Sequence, residues 1–466
     1  MVTVQIKWVK NMDKKKLKLI LFSASGVLIV ASIVLLIFIL SNSGDGDKNP
    51  PQTTEVLSQS TSTPILTPTP TPEPITYTEM TLLSTGDFMM HGPQMTAALR
   101  SDGTYDFSEY TKYINDIVSE ADYAVLNLET TIVGDGNYSS YPSFNSPEEI
   151  LDSITGAGFD MCLFANNHTY DKGHLGLINT QNFIEKHQLD CIGTRRDTES
   201  KSYKIIEANG IKLGLLNYTY ETDDEGENVK FLNGTRLDTR SNALVDSFNL
   251  NRMDKFYNEV SSRMAEMKKD GADAVVLYIH WGDEYDKCSN STQQQIAQKL
   301  CDLGVDALIG SHPHVVQEAV LLTSADGKHK MPCLYSTGNF ISNQNRLTLV
   351  NDDPEGYSEN SVLHKLTFRK YSTGETVIVN TDYVATWVHR RHMEGRWHYS
   401  IVPLVKALTD EDSKSYYSLY DSSFGVSHAT VALQRIDALL KDGTAAANAA
   451  VVLPYDDSEV TAVSIK

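Results

Sequence analysis

The chain has 466 residues, 41% of them hydrophobic, enough to bury a large core and to exclude a small stapled module. Its formal net charge of −20 repels polyanions, so nucleic acid is not expected as a partner, and an anionic substrate needs a local positive centre such as a bound metal. Five cysteines, odd in number and sparse, give no disulfide framework; Cys162 and Cys333 fall inside apolar runs.

Residues 1–18 carry Lys7, Lys10, Lys14, Lys15, Lys16 and Lys18, ahead of an uncharged stretch over 19–40. At helical rise that stretch crosses a hydrocarbon core of about 30 Å. A cleaved signal peptide has an apolar region of only about 7 to 15 residues and ends in a small-residue cleavage site, and neither feature is present. The expectation is a single-pass cell-membrane helix with a cytoplasmic amino terminus and the main domain outside. Residues 41–76 alternate Thr and Pro around Thr67-Pro68-Thr69-Pro70-Thr71-Pro72, which predicts an extended extracytoplasmic spacer.

From residue 77 strand-like runs alternate with amphipathic ones, predicting a layered α/β domain over 77–440. The expected strands are Met80–Thr85, Tyr123–Leu128, Met161–Ala165, Ile211–Thr219, Ala274–His280, Ala307–Gly310 and Pro332–Ser336; the expected helices are Pro147–Ala157, Gly176–His187, Leu250–Lys269 and Thr292–Leu303. Ser361–Arg369 and Thr376–Val384 read as alternating strands that complete a second sheet. The Ala-rich end over 441–466 reads as a weakly specified tail.

Four short motifs carry the chemistry: Gly86-Asp87-Phe88-Met89-Met90-His91, Asn127-Leu128-Glu129, Ala165-Asn166-Asn167-His168, and the late pair His280-Trp281 with Gly310-Ser311-His312-Pro313-His314. Each follows a run of apolar, often β-branched residues, which places it at the end of a buried strand. Asp87 beside Gly86 is either a carboxylate able to approach an ion closely or a cap for the next turn. Glu129 repeats that placement. Asn167 offers an amide oxygen as ligand and His168 an imidazole as acid or electrostatic stabiliser. Asp171 either orients His168 or caps the helix starting near His174. His312 and His314, at alternate positions around Pro313, can point the same way from an extended segment.

Asp87, Glu129, Asn167, His280, His312 and His314 are therefore the candidate metal ligands, with His91 and Asn127 beside them, and His168 with Asp171 is the candidate catalytic pair. The mixed oxygen and nitrogen set suits one or two divalent ions of zinc, manganese or iron better than calcium. Two such ions polarise a phosphoryl or carbonyl oxygen and supply hydroxide at neutral pH, so hydrolysis is the default chemistry. His389-Arg390-Arg391-His392 with Arg396, Trp397 and His398 is the concentrated basic, aromatic patch outside the membrane flank. Arg390 and Arg391 either grip an anionic polymer or phosphate or face solvent on a polar strand pair.

In this order the motifs, together with Phe144…Pro147, Asp171…Gly173, Glu284-Tyr285 and Tyr335-Ser336…Gly338-Asn339-Phe340, resemble the CapA family of capsule or poly-γ-glutamate biosynthesis proteins from Thr81 to Phe340. That family is similar in turn to the calcineurin-like metallophosphoesterases, whose motifs are Asp-x-His, Gly-Asp-x-x-Asp, Gly-Asn-His-Asp/Glu, a lone His and Gly-His-x-His. The resemblance implies an α/β/β/α sandwich of two packed mixed sheets. By position it assigns Asp87 to the first metal aspartate, Glu129 to the bridging carboxylate, Asn167 to the amide ligand and His168 to the catalytic histidine, with His280, His312 and His314 as later ligands. The sequence departs from the pattern where His91 replaces a histidine two residues after Asp87, and where the bridging aspartate becomes a longer glutamate. Both changes bear on metal position, so the resemblance carries the fold further than it carries phosphatase activity. It implies a membrane-anchored extracytoplasmic protein of polyglutamate capsule synthesis or export. Its role is either a metal-dependent phosphoesterase-like hydrolase, a noncatalytic polymer-binding partner of a membrane polyglutamate synthase, or an amide hydrolase or transferase acting on the polymer.

Overall fold

Continuous apolar runs mark the central strands, buried on both faces, and the strands in chain order are β1 (Ile75–Phe88), β2 (Tyr123–Leu128), β3 (Met161–Leu163), β4 (Asp190–Ile192), β5 (Lys204–Ala208), β6 (Ile211–Tyr220), β7 (Phe231–Leu232), β8 (Thr235–Arg236), β9 (Ser247–Phe248), β10 (Ala274–His280), β11 (Ala307–Ser311), β12 (Ala319–Thr323), β13 (Lys330–Leu334), β14 (Asn360–Tyr371), β15 (Thr376–Met393), β16 (Arg396–Pro403) and β17 (Val460–Ala462). The computed structural model describes residues 74–464 apart from 227, 410–415, 418 and 420–422. The expected basic segment 1–18, the membrane helix 19–40 and the spacer up to residue 73 lie outside the described residues. Among the described residues no helix is long and apolar enough to cross a membrane.

Among the described residues one sheet runs in the order β16-β15-β14-β1-β2-β3-β4, with β17 also on β1, and a second runs β12-β13-β11-β10-β6-β5, with β9 beside β6. β1 to β4 are parallel and β14 to β16 antiparallel; β6, β10, β11 and β13 are parallel between antiparallel edges β5 and β12. The sheets pack face to face through one apolar cluster that includes Met80, Leu82, Val125 and Leu163 from the first and Leu213, Val276, Tyr278 and Ile309 from the second. Alternate residues face outward. Leu83, Ala124 and Leu126 meet the helices Asn115–Ser119 and Ile150–Ala157, while Val275, Leu277 and Leu308 meet Met253–Lys269 and Ser291–Leu303. This gives the α/β/β/α order of layers.

The late strands do not complete the second sheet as the sequence suggested. β2, β3 and β4 add successively to one edge of β1, leaving its other edge open, and β14 pairs along that edge from Tyr77↔Tyr371 to Ser84↔His364. The second sheet is built instead from residues 204–334. The end of the chain is also more specified than its composition implied. A helix continues through Ala449, where Asn448 accepts from the Thr381 backbone N–H at 2.7 Å and donates to its carbonyl at 2.9 Å, and β17 pairs with the start of β1.

His364 on β14 is buried, with Nε2 3.1 Å from Thr381 Oγ1 and Nδ1 without a hydrogen-bond partner among the described residues. Burial pushes its pKa down from 6.5 to about 4. Between those values the unfolded chain takes up a proton that the folded chain refuses, so this contribution is complete above pH ~6.5 and is lost as pH falls toward 4. The expected loss is about 2 kcal/mol by pH 5. Urea midpoints between pH 7 and 5 measure it, and His364→Asn should flatten their slope; an unchanged slope would show that the imidazole is not held neutral.

Candidate metal centre

Strand parity delivers the polar residues to one place. Ala274, Val276 and Tyr278 face the other sheet, so His280 at the end of β10 faces it too; Val125 does the same for Asn127 and Glu129, and Ile309 for Ser311. Asp87 reaches that face only through an irregularity in β1. Ser84 pairs with Val125 and Asp87 with Asn127, three steps against two, and this bulge returns Asp87 to the inter-sheet side. Gly86 makes the bulge possible. Its missing Cβ leaves room for the Gly338 carbonyl, which accepts from Asp87 N–H at 3.0 Å. The glycine thus serves a close approach of two backbones, where the sequence had suggested approach to an ion.

The two carboxylates and three imidazoles form two groups whose ligand atoms lie within 4.8 Å of one another: Glu129 with His280 and His312, and Asp87 with Glu129 and His314. Glu129 is common to both. His280 Nε2 lies 3.6 Å from Glu129 Oε1 and 3.0 Å from Asn167 Oδ1, and His314 Nδ1 lies 3.0 Å from Asp87 Oδ2. Asn127 Nδ2 donates to Asp87 Oδ1 at 2.8 Å and sits 3.4 Å from Glu129 Oε2, so it steadies the carboxylates. His312 and His314 converge from a bend and not from an extended segment: both have left-handed backbone, at φ +100° and +59°. Such strain at non-glycine residues costs about 1–3 kcal/mol each and persists where surrounding bonds impose it. Here Tyr285 N–H donates to Pro313 O at 2.8 Å and Trp281 N–H to Ser311 O at 3.1 Å.

Burial, reinforced by the charge of Asp87, drives the Glu129 carboxyl well above the ordinary carboxylate range. Burial first, and neighbouring imidazoles second, hold His280 and His312 well below the usual histidine value. For His314 burial pulls downward, but the hydrogen bond and charge of Asp87 outweigh it and raise the value. Glu129 Oε1 and His312 Nδ1 are buried without hydrogen-bond partners among the described residues. An unpartnered buried polar atom costs about 1–3 kcal/mol, and a cation ligated by these groups removes that cost. The residues therefore fit a metal ion.

His168 Nδ1 lies 2.8 Å from Asp171 Oδ2, which also accepts from Phe144 N–H at 2.7 Å. Asp171 thus orients His168 and does not cap the following helix, whose first turn begins after Lys172. Phe144 packs edge-on against both His168 and His91. His91 stands outside both ligand groups; burial lowers its pKa to about 4, and its Nδ1 lies 3.4 Å from Asn343 N–H. Arg390 and Arg391 lie on the β15–β16 ribbon and in neither ligand group. Three supporting residues carried no assigned role in the sequence. Ser311 Oγ lies 2.9 Å from His280 Nδ1, Asn166 donates to Asn127 Oδ1 at 3.1 Å, and the Tyr220 ring lies parallel to His280 and 4.9 Å from His312. Ser311 and Asn166 sit inside the quoted motifs, whereas Tyr220 is signalled only by its place at the end of β6 beside His280.

Residues 81–344, more than half of the chain, match the family described as Bacterial capsule synthesis protein PGA_cap. The chain belongs to that family. It is 28% identical over 273 residues to the capsule biosynthesis protein CapA of Bacillus anthracis, covering 57% of this chain and 60% of that one. Against the PGA biosynthesis protein CapA of Bacillus subtilis (strain 168) the identity is 26% over 238 residues, 50% and 56% of the two chains. A probable polyglutamine synthesis accessory protein of Mycobacterium tuberculosis is 22% identical over 223 residues, 47% and 55%. The chain therefore matches somewhat more than half the length of these curated relatives. The two-sheet architecture is consistent with the calcineurin-like superfamily, and every candidate ligand of this PGA_cap protein lies inside the matched segment.

In this PGA_cap protein a methyl group at position 86 would fall 1.8 Å from the Gly338 carbonyl oxygen. Gly86→Ala is expected to destabilise the fold by about 1–3 kcal/mol and to lower metal content by displacing Asp87. Thermal melting and elemental analysis test this; a variant as stable and as metal-loaded as the parent would contradict the bulge's role.

Proposed function

We propose that this PGA_cap protein is anchored in the cell membrane by residues 19–40, carries its folded domain outside the cell, and serves polyglutamate capsule synthesis or export as a metal-dependent phosphoesterase-like hydrolase. The sharing of Glu129 between two buried ligand groups supports this reading above all, because a carboxylate so placed suits a pair of cations. Asp87, Glu129, Asn167, His280, His312 and His314 would hold one or two ions of zinc, manganese or iron. When bound, such a metal polarises the oxygen of the scissile bond and supplies a nucleophile at neutral pH.

The remaining work falls to the chain. With Nδ1 committed to Asp171, His168 has Nε2 left to hand a proton to the departing oxygen. Asp171 holds that ring in one tautomer while its own position is fixed by Phe144 N–H. Asn127 donates to Asp87 and Asn166 to Asn127, which keeps the carboxylates in place. A second reading, a noncatalytic partner of a membrane polyglutamate synthase, draws support from the Mycobacterium tuberculosis relative, which is named an accessory protein.

Elemental analysis of the purified full-length protein and hydrolysis of a phosphodiester probe separate the two. The hydrolase reading expects near-stoichiometric transition metal, its loss in Asn167→Ala and His312→Ala, and a fall in rate of about 10²–10⁴-fold in His168→Ala with metal retained. Metal-free protein that still supports capsule export would leave only the accessory role.

A further inference from the structure

The two arginines of the β15–β16 ribbon have different surroundings. Arg391 donates to Glu109 Oε1 at 2.7 Å, and His398 Nδ1 lies 2.9 Å from the other oxygen of the same carboxylate. Arg390 has no carboxylate partner among the described residues. Its Nη1 donates to Asn343 Oδ1 at 3.3 Å, and its guanidinium lies over the Trp397 ring, 4.3 Å from the centre. Arg390 and Trp397 line a cavity of about 140 Å³ together with Gln344, Arg346, Leu347 and Trp387. The second cation there is already neutralised: Arg346 meets both oxygens of Glu359, at 2.8 and 2.7 Å, and Trp387 Nε1 donates to the same carboxylate at 3.1 Å. The unmatched charge of the cavity is therefore that of Arg390.

The cavity adjoins the candidate metal centre. Gln344 accepts from Asn339 at 2.8 Å and donates to the Tyr285 hydroxyl at 3.0 Å, and the Tyr285 ring lies 6.1 Å from that of His314. On the other side Asn343, which holds Arg390, approaches His91. Gln344 on the cavity wall thus reaches the ligand His314 through Tyr285.

We propose that this cavity is a carboxylate subsite of the same centre, in which Arg390 receives a free carboxylate of an acidic polymer while the polymer backbone lies against the ligand groups. The placement rests on the metal-centre reading above. The volume is near the ~150 Å³ at which a cavity accepts a benzene-sized group, so it suits a carboxylate on a short aliphatic stem. Leu347 and Trp397 offer apolar walls for the methylenes, which a bare phosphate does not use. The Trp397 indole and the bonds to Asn343 and Tyr399 hold the Arg390 guanidinium in advance, at the cavity wall where a carboxylate can meet it. In a protein of net charge −20, a polyanion has few other places to rest.

The test measures binding of a fluorescent γ-linked glutamate oligomer to the full-length protein by anisotropy, with metal content followed in parallel. Arg390→Gln is expected to weaken binding about tenfold or more, and Trp397→Ala several-fold, with metal content unchanged. Arg391→Gln, whose partner is Glu109, should bind within about twofold of the parent. Should Arg390→Gln fail to fold, Arg390→Lys keeps the charge without the fork and should still bind several-fold more weakly. Parent-like binding by the folded Arg390 variants, no binding by the parent, or displacement by inorganic phosphate at lower concentration than by glutarate would overturn the subsite. A metal-free parent whose oligomer binding still depends on Arg390 would support the subsite and remove the hydrolase reading alone.

Discussion

A carboxylate with no exposed surface, set beside a second carboxylate, is tolerable only where a proton or a cation offsets its charge: burial and the charge of Asp87 favour the protonated form of Glu129, and Asp87 is paired with His314. Both acids belong to the first sheet, from the ends of β1 and β2, and all three imidazoles to the second, from the ends of β10 and β11. The compensation therefore runs across the seam between the sheets. Below it the seam is closed by the apolar layer of Leu82, Val125, Val276 and Ile309. The hydrophobic layer sets the distance between the sheets, and the polar edge inherits that distance as its own geometry.

The two halves of the centre are not equivalent. His280 and His312 are held neutral, the form in which imidazole ligates, and they share Glu129 with the amide of Asn167 nearby. The other half pairs Asp87 with a His314 whose proton affinity that same carboxylate raises. Glu129, whose carboxyl burial pushes upward, is common to both halves, so what distinguishes them is the pairing of His314 with Asp87.

Much of this was legible from the sequence because strand ends are marked by where apolar runs stop. β2 and β10 have the bounds read from composition, and the polar residue at or just after each is a site residue. The bulge before Asp87 was not legible, since pairing and not periodicity reveals that three residues face two. The backbone of His312 and His314 was misread for a related reason: alternation suggests extension, but the bonds to Tyr285 and Trp281 that impose the bend come from a distant segment. Sheet membership of β14 to β16 depended on which edge of β1 stayed open, a property of the assembled fold that no local pattern carries.

The boundary of the family match divides the site physically. Residues 81–344 contain every candidate ligand together with His168 and Asp171, while Glu359, Trp387, Arg390 and Trp397 of the neighbouring cavity lie beyond it. Those later residues are nonetheless fixed relative to the ligands, because β14 is paired with β1 over eight successive positions ending at Ser84, three residues before Asp87. Thr85 Oγ1 donates to Val362 O at 2.9 Å, and Gly338, whose carbonyl accepts from Asp87 N–H, bridges to Ser361 of β14. The ribbon built on β14 is thus tied to the strand that carries Asp87 and is not a loose appendage.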